Sequence, residues 1–147
     1  MKKWTQEEVD AVQRDENGWL TYPTGDYTEV QNFGAWAIFG ARSIFGAWAI
    51  FGAGASFGAG SIFGNRSIFG AESRFGAESI FGEGSIFGAG ASFGAGCEFE
   101  SEGKAKDGYP LLSFGGLGSE NRTTYAFNLE SGIWIRCGCF KGTLDEF

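Results

Sequence analysis

Between Phe33 and Glu98 the hydrophobic and polar positions recur every six residues without insertion or slip. The eleven hexapeptides are FGAWAI, FGARSI, FGAWAI, FGAGAS, FGAGSI, FGNRSI, FGAESR, FGAESI, FGEGSI, FGAGAS and FGAGCE. Position one is always Phe and position two always Gly; position five is Ala, Ser or Cys, and position six is Ile in seven of the eleven. A strict short period of this kind predicts a solenoid. Positions five, six and one predict a short strand whose alternation sends five and one inward and six outward. Gly at position two is expected to supply the backbone freedom for each corner, and positions three and four to complete it. The small residue at position five offsets the bulk of Phe in a narrow, tightly packed interior. A Ser there can bond backbone groups.

Both flanks lose this period. Thr5 and Glu8 have capping-box spacing, and Val9 and Val12 lie three apart on one face, which predicts a helix over residues 6–14. Asp15 to Gly18 should end it, with Gly18 as a C-terminal turn residue. Trp19 to Tyr22 predicts a strand and Pro23 to Asp26 a turn. Tyr27 falls six residues before Phe33, so the solenoid phase is expected to begin there. After Phe99, residues 100–108 read as a polar connection. Leu111 to Leu117, Tyr125 to Asn128 and Ile133 to Arg136 predict strands, the last two joined by a hairpin turn over 129–132. Thr143 to Phe147 reads as a helix start with Thr143 as N-cap, the pattern a truncated chain would leave.

The repeat resembles the hexapeptide repeat of left-handed parallel β-helices: an aliphatic residue, Gly, two free residues, a small residue and one more. It covers nearly half the chain and departs from the pattern in having Phe where Leu, Ile or Val is usual. The resemblance implies an all-β chain, a left-handed triangular parallel β-helix with eighteen residues per coil. Residues 1–32 would form an N-terminal cap of short helix plus strand, 33–98 the β-helix, and 99–147 a small β-rich C-terminal cap. Solenoids need such caps over their open coils. At about 4.8 Å per coil the repeat would be on the order of 18 Å long. The run from Gly118-Ser-Glu-Asn-Arg122 to Gly142-Thr-Leu-Asp-Glu146 resembles the tail of uncharacterised bacterial and prophage repeat proteins and implies no activity.

An eighteen-residue coil stacks position-six residues into three outward faces. The first carries Ile38, Ser56, Arg74 and Ser92; the second Ile44, Ile62, Ile80 and Glu98; the third Ile50, Ile68 and Ile86. Two faces therefore present Ile ladders. Lone exposed β-branched residues are ordinary in strands, whereas a contiguous flat ladder suggests a contact surface. The candidate interface is Ile44, Ile62, Ile80, Ile50, Ile68 and Ile86. Trp36 and Trp48, at corner positions beside Arg42, would join that surface or pack under the cap.

Composition narrows the chemistry. At 147 residues the chain supports one compact unit, and its 17% aromatic content is too high for a disordered tail. The net charge is -7, divided as -4 over residues 1–32, -1 over the repeat and -2 over 99–147. An acidic chain argues against direct nucleic-acid binding, which needs Lys and Arg at phosphates. Acidity concentrated at the ends also argues against a DNA mimic.

There is no His. Enzymes of the left-handed β-helix class are mainly acyltransferases, which use His as general base, and zinc carbonic anhydrases, which hold zinc with three His. Neither role transfers to any residue here, and a non-catalytic protein without cofactor is expected. Cys97, Cys137 and Cys139 could supply three thiolates, but a structural zinc site usually wants four ligands, so packing is the expected role. The Phe-Gly-Ala-Gly strings lack the Lys-Ser/Thr and helix of a phosphate loop. Glu72, Glu78 and Glu83 are expected on solvated corners. Flat β-helix faces that bind ice usually carry Thr arrays, and the repeat has no Thr. The odd Cys count and the lack of an apolar N-terminal signal point to a reducing cytoplasm, and no apolar run has membrane-spanning length; the resemblance of the tail implies that of a bacterial or phage-infected host cell.

The expected function is a non-enzymatic scaffold that binds a protein partner or a second copy through its Ile faces, with neither nucleic acid nor membrane. The alternatives are a phage- or prophage-encoded inhibitor of a host protein and, last, a degenerate acyltransferase-like β-helix. Two hexapeptides occur twice unchanged, as recent duplication or engineering would leave them.

Overall fold

The computed structural model describes residues 1–99 in full and, beyond them, the backbone of strands 103–104, 111–117, 122–129, 132–137 and 140–143. One helix, α1 (Gln6–Asp10), precedes strands β1 (Leu20–Tyr22), β2 (Asp26–Tyr27), β3 (Asn32–Phe33) and β4 (Ala37–Phe39). Strands β5 to β14 are the position-six and position-one pairs of the repeat, from Ile44–Phe45 through Ile50–Phe51, Ser56–Phe57, Ile62–Phe63, Ile68–Phe69, Arg74–Phe75, Ile80–Phe81, Ile86–Phe87 and Ser92–Phe93 to Glu98–Phe99. Every third strand stacks in parallel. The stacks are β1-β4-β7-β10-β13, β2-β5-β8-β11-β14 and β3-β6-β9-β12. The result is a triangular parallel β-helix with three flat sheets.

The register is eighteen residues throughout the repeat, as in Phe45 opposite Phe63 and Phe63 opposite Phe81. Tyr27 sits opposite Phe45, so the coil does begin before Phe33. It begins one side earlier still: Tyr22 lies opposite Phe39, a shortened coil seventeen residues on.

All the position-one rings are buried, and they form three columns. Phe63 stacks on Phe45 and Phe81, both at 5.0 Å with rings near parallel. It meets Phe57 and Phe69 edge-on at 4.8 and 5.0 Å, both at 88°. Each ring thus has stacked neighbours along the axis and T-shaped neighbours around it, the two arrangements aromatic quadrupoles favour. Position five closes the remaining space. The hydroxyls of Ser43, Ser61, Ser67, Ser73, Ser79 and Ser85 are buried, and each donates to the carbonyl of the Gly three residues before it, at 2.8–3.1 Å. The buried polar group is satisfied inside its own corner.

The glycine at position two has a different role from the one its place in the repeat suggests. None of the position-two glycines has positive φ; the left-handed residue is position four. Position two is Gly because the coils touch there. A Cβ on Gly58 would lie 2.5 Å from the nitrogen of Ala41, and one on Gly70 2.5 Å from that of Ala53. The constraint is close approach of one coil's backbone to the next.

The N-terminal residues cover the first coil. Thr5 and Glu8 form the expected capping box, but α1 stops at Asp10 with Ala11 as its C-cap, four residues short of the sequence-based boundary. Its last turn holds no basic residue, and Asp10 opposes the helix dipole there. Arg14 leaves the helical path and donates from Nη1 to the carbonyls of Gly18 and Ala35, at 2.8 and 2.9 Å. Gly18, with φ 85°, belongs to a separate turn held by the carboxylate of Asp15, which accepts from Asn17 and Trp19. Val9 is buried against the first rings, and Trp4 stacks on Tyr27 at 5.5 Å. Open sheet edges are also occupied. Trp4 donates to the Asp26 carbonyl and Asp26 to that of Lys2, while Gln6 bonds both the N–H and the carbonyl of Asn32. Edges occupied in this way cannot template pairing with other chains.

At the other end β15 (Gly103–Lys104) pairs antiparallel with β14, within the stretch expected to be a plain connection. Strands β16 (Leu111–Leu117), β17 (Arg122–Leu129), β18 (Gly132–Cys137) and β19 (Phe140–Thr143) form an antiparallel sheet in that order. The expected hairpin is present, with Leu129 opposite Gly132. Thr143 ends β19 opposite Trp134, a ladder position that suits a β-branched residue; the helix start expected there falls on 144–147. Residues 144–147 lie outside the described residues. Among the described residues no helix is long and apolar enough to cross a membrane.

Candidate interaction faces

Alternation along each short strand turns position six outward, and the parallel register aligns those side chains at about 4.8 Å per coil. One sheet carries Asp26, Ile44, Ile62, Ile80 and Glu98 in line. The next carries Asn32, Ile50, Ile68 and Ile86. The third carries Thr21, Ile38, Ser56, Arg74 and Ser92. Both expected ladders are thus brought together, one per sheet. Ile50, Ile62, Ile68, Ile80 and Ile86 are 39–50% exposed, and Ile44 is half-buried.

Carboxylates bracket the first ladder. Asp26 heads it and accepts from Oγ1 and N of Thr28 at 2.6 and 2.9 Å, which lowers its pKa below the usual Asp value and keeps it anionic. Glu98 follows Ile80 at the other end. The second ladder contains no charged residue.

The corners differ more than the hexapeptide spelling suggests. Position four is left-handed in every coil, with non-Gly residues Trp36, Arg42, Trp48, Arg66, Glu72 and Glu78 at φ of 59–63°. Each of these costs about 1–2 kcal/mol relative to Gly. Taken at the eighteen-residue step, position four reads Trp36, Gly54, Glu72, Gly90 on one edge, Arg42, Gly60, Glu78, Gly96 on the second, and Trp48, Arg66, Gly84 on the third. Side chains and glycines alternate because each side chain leans onto the next coil. A Cβ on Gly54 would enter the Trp36 ring, and Cβ atoms on Gly60, Gly84 and Gly90 would meet Cγ of Arg42, Arg66 and Glu72 at 3.2–3.3 Å.

Trp48 is the exception. The next coil holds Arg66 at its seat, and the guanidinium carbon lies 5.3 Å from the indole centroid, a cation–π contact. Trp48 is 57% exposed, against 44% for Trp36. The two tryptophans stand on different edges, on opposite sides of the Ile50 face. Trp36 packs edge-on to Trp19 of the cap segment, at 5.4 Å. Trp48 stands on the edge between the two Ile faces. Arg42, expected beside them, is on the remaining edge. The hexapeptide frame hides this pattern; a reading at the coil length exposes it.

Glu72, Glu78 and Glu83 are exposed at corners, as expected. Cys97 is a buried free thiol at position five; burial raises its pKa, and Sγ lies 3.4 Å from the carbonyl oxygen of Gly76. Strand β18 ends at Cys137, and Cys139 lies outside the described residues. Among the described residues no group of three or more His, Cys, Asp or Glu is placed to hold a metal ion. A cavity of about 490 Å³ lies beside the cap, lined by Val9, Asp10, Arg14, Leu20 and Tyr22 among others, with Arg14 already bonded to two carbonyls.

Comparison with protein-family models, with curated proteins and with solved structures finds no match.

Proposed function

We propose that the chain is a non-enzymatic scaffold that engages another protein molecule through its flat Ile faces. The observation that carries this reading is the pair of in-register ladders, five of whose six isoleucines are 39–50% exposed. Side chains of that kind, aligned on a rigid sheet, form a contiguous apolar surface rather than scattered exposed residues. We also read the solenoid as a left-handed member of the hexapeptide-repeat class, on the strength of its six-residue spacing and eighteen-residue register. The likeness of the C-terminal residues to prophage repeat proteins favours a host protein as partner.

Multi-angle light scattering of the full chain, purified gently from bacteria, tests the contact reading against an Ile62→Asp and Ile68→Asp double variant. The wild type should run as an assembly heavier than one chain. The double variant should run as a single chain with an unchanged circular dichroism spectrum. Equal masses for the two proteins would refute the reading.

A further inference from the structure

The two Ile faces meet at one edge, and that edge is built unlike the others. On the Trp36 edge and the Arg42 edge each left-handed side chain is followed one coil later by Gly. On the shared edge Trp48 is followed by Arg66, so two non-Gly residues take the left-handed conformation in succession. The fold does not require this, since Gly84 holds the same position one coil on. The result is an exposed indole with a guanidinium over it, between Ile44, Ile62 and Ile80 on one side and Ile50, Ile68 and Ile86 on the other. Trp and Arg are the residues most often found at the energetic centre of protein interfaces. The other two edges each adjoin the polar third face.

We infer that the Trp48–Arg66 edge is the anchor of the contact surface, and that its occupant is a different protein with an apolar cleft that grips both Ile faces at once. This rests on the reading of the Ile faces as contact surfaces. Area favours such an occupant. One face, about four or five rungs high and one short side wide, offers on the order of 300 Å², and a standard interface covers about 800 Å² per partner. Only contact that wraps the edge and takes both faces approaches that value. Shape excludes a second copy from this role, because two convex wedges cannot each enclose the other's edge. Charge does not separate the two occupants, because Lys3 neighbours Asp26 and Lys104 is in register with Glu98, so each end of the Ile44 ladder carries both signs. A cleft with an apolar floor meets the demands of area and shape.

The test places a photoreactive p-benzoylphenylalanine in the full chain at position 48, 62 or 68, with position 74 on the polar face as control, and irradiates bacterial cells producing it. The expected result is one heterologous adduct of the same mass from positions 48, 62 and 68, absent from 74. Excess wild-type chain added before irradiation of the purified mixture should suppress the adduct, and Arg66→Gly chain should do so about tenfold less well or worse. An adduct of two copies of the chain, adducts from only one of positions 62 and 68, or equal competition by the Arg66→Gly chain would overturn the inference while leaving the Ile faces as contact surfaces. No adduct at 48, 62 or 68 would overturn both.

Discussion

Trp36 and Trp48 occupy the same position of two identical hexapeptides, FGAWAI, in the same left-handed conformation. Their surroundings differ. Trp36 lies over Gly54 and against Trp19, and belongs to the packing beside the cap. Trp48 faces Arg66 and stands more exposed, at the junction of two apolar faces. Nothing in the six local residues makes this difference. It is made one coil away: by Trp19 of the cap segment on one side of Trp36, and by the residue at the same corner of the next coil, Gly54 or Arg66. In this solenoid the local repeat sets backbone and interior, and the coil-length repeat sets what the surface can do.

The largest expected effect tests the uniform half of that statement. Phe51 and Phe63 lie in different columns, yet each is enclosed by stacked rings above and below and by edge-on rings beside it. Phe51→Ala and Phe63→Ala should each lower stability by about 3–5 kcal/mol in urea denaturation. The two losses should agree within about 1 kcal/mol, because the cost depends on how the site can collapse and the two sites are packed alike. A large loss at one site and little at the other would mean that the interior is not one repeated solution.

That interior was legible from residues alone because its determinants are local. Phe at position one, a small residue at five and Ile at six identify inward and outward positions by alternation, and the Ser hydroxyls bond within their own hexapeptide. What escaped a local reading was set by contacts between coils or between ends. Position-two Gly was expected to turn the corner, but Gly58 is required by the backbone of Ala41, seventeen residues away in sequence. The helix was expected to reach residue 14, but Arg14 is drawn off to the carbonyls of Gly18 and Ala35. The Ile ladders were visible in the sequence, whereas the separation of Trp36 from Trp48 depended on Gly54 and Arg66.

The next effect sets the Trp36 edge against its neighbour. Gly54→Ala puts a methyl group into the Trp36 ring, whereas Gly60→Ala meets only Cγ of Arg42 at 3.3 Å. Both lose the freedom of Gly at positive φ, about 1–2 kcal/mol. Gly54→Ala should cost about 1–3 kcal/mol more for displacing the indole. In the background of Trp36→Ala that excess should vanish, giving a double-mutant coupling of about 1–3 kcal/mol. Equal losses at the two glycines, with no coupling to Trp36, would mean that the indole does not rest on Gly54.

The smallest effect is the most direct test of the comparison, because it converts one tryptophan's situation into the other's. Arg66→Gly restores on the third edge the alternation seen on the other two. The backbone there already has φ 61°, so Gly relieves strain, and the chain should gain about 1 kcal/mol or less after the entropy cost of Gly. Trp48 would acquire a glycine seat and lie down on it, as Trp36 does on Gly54. The emission of Trp48, isolated as the difference from a Trp48→Phe variant of the same background, should then shift to shorter wavelength and be quenched less by acrylamide. The cation–π contact is lost in the same change, but its removal alone would leave the indole more exposed, the opposite outcome. Unchanged or increased quenching of Trp48 would therefore show that its exposure is not set by the residue one coil away.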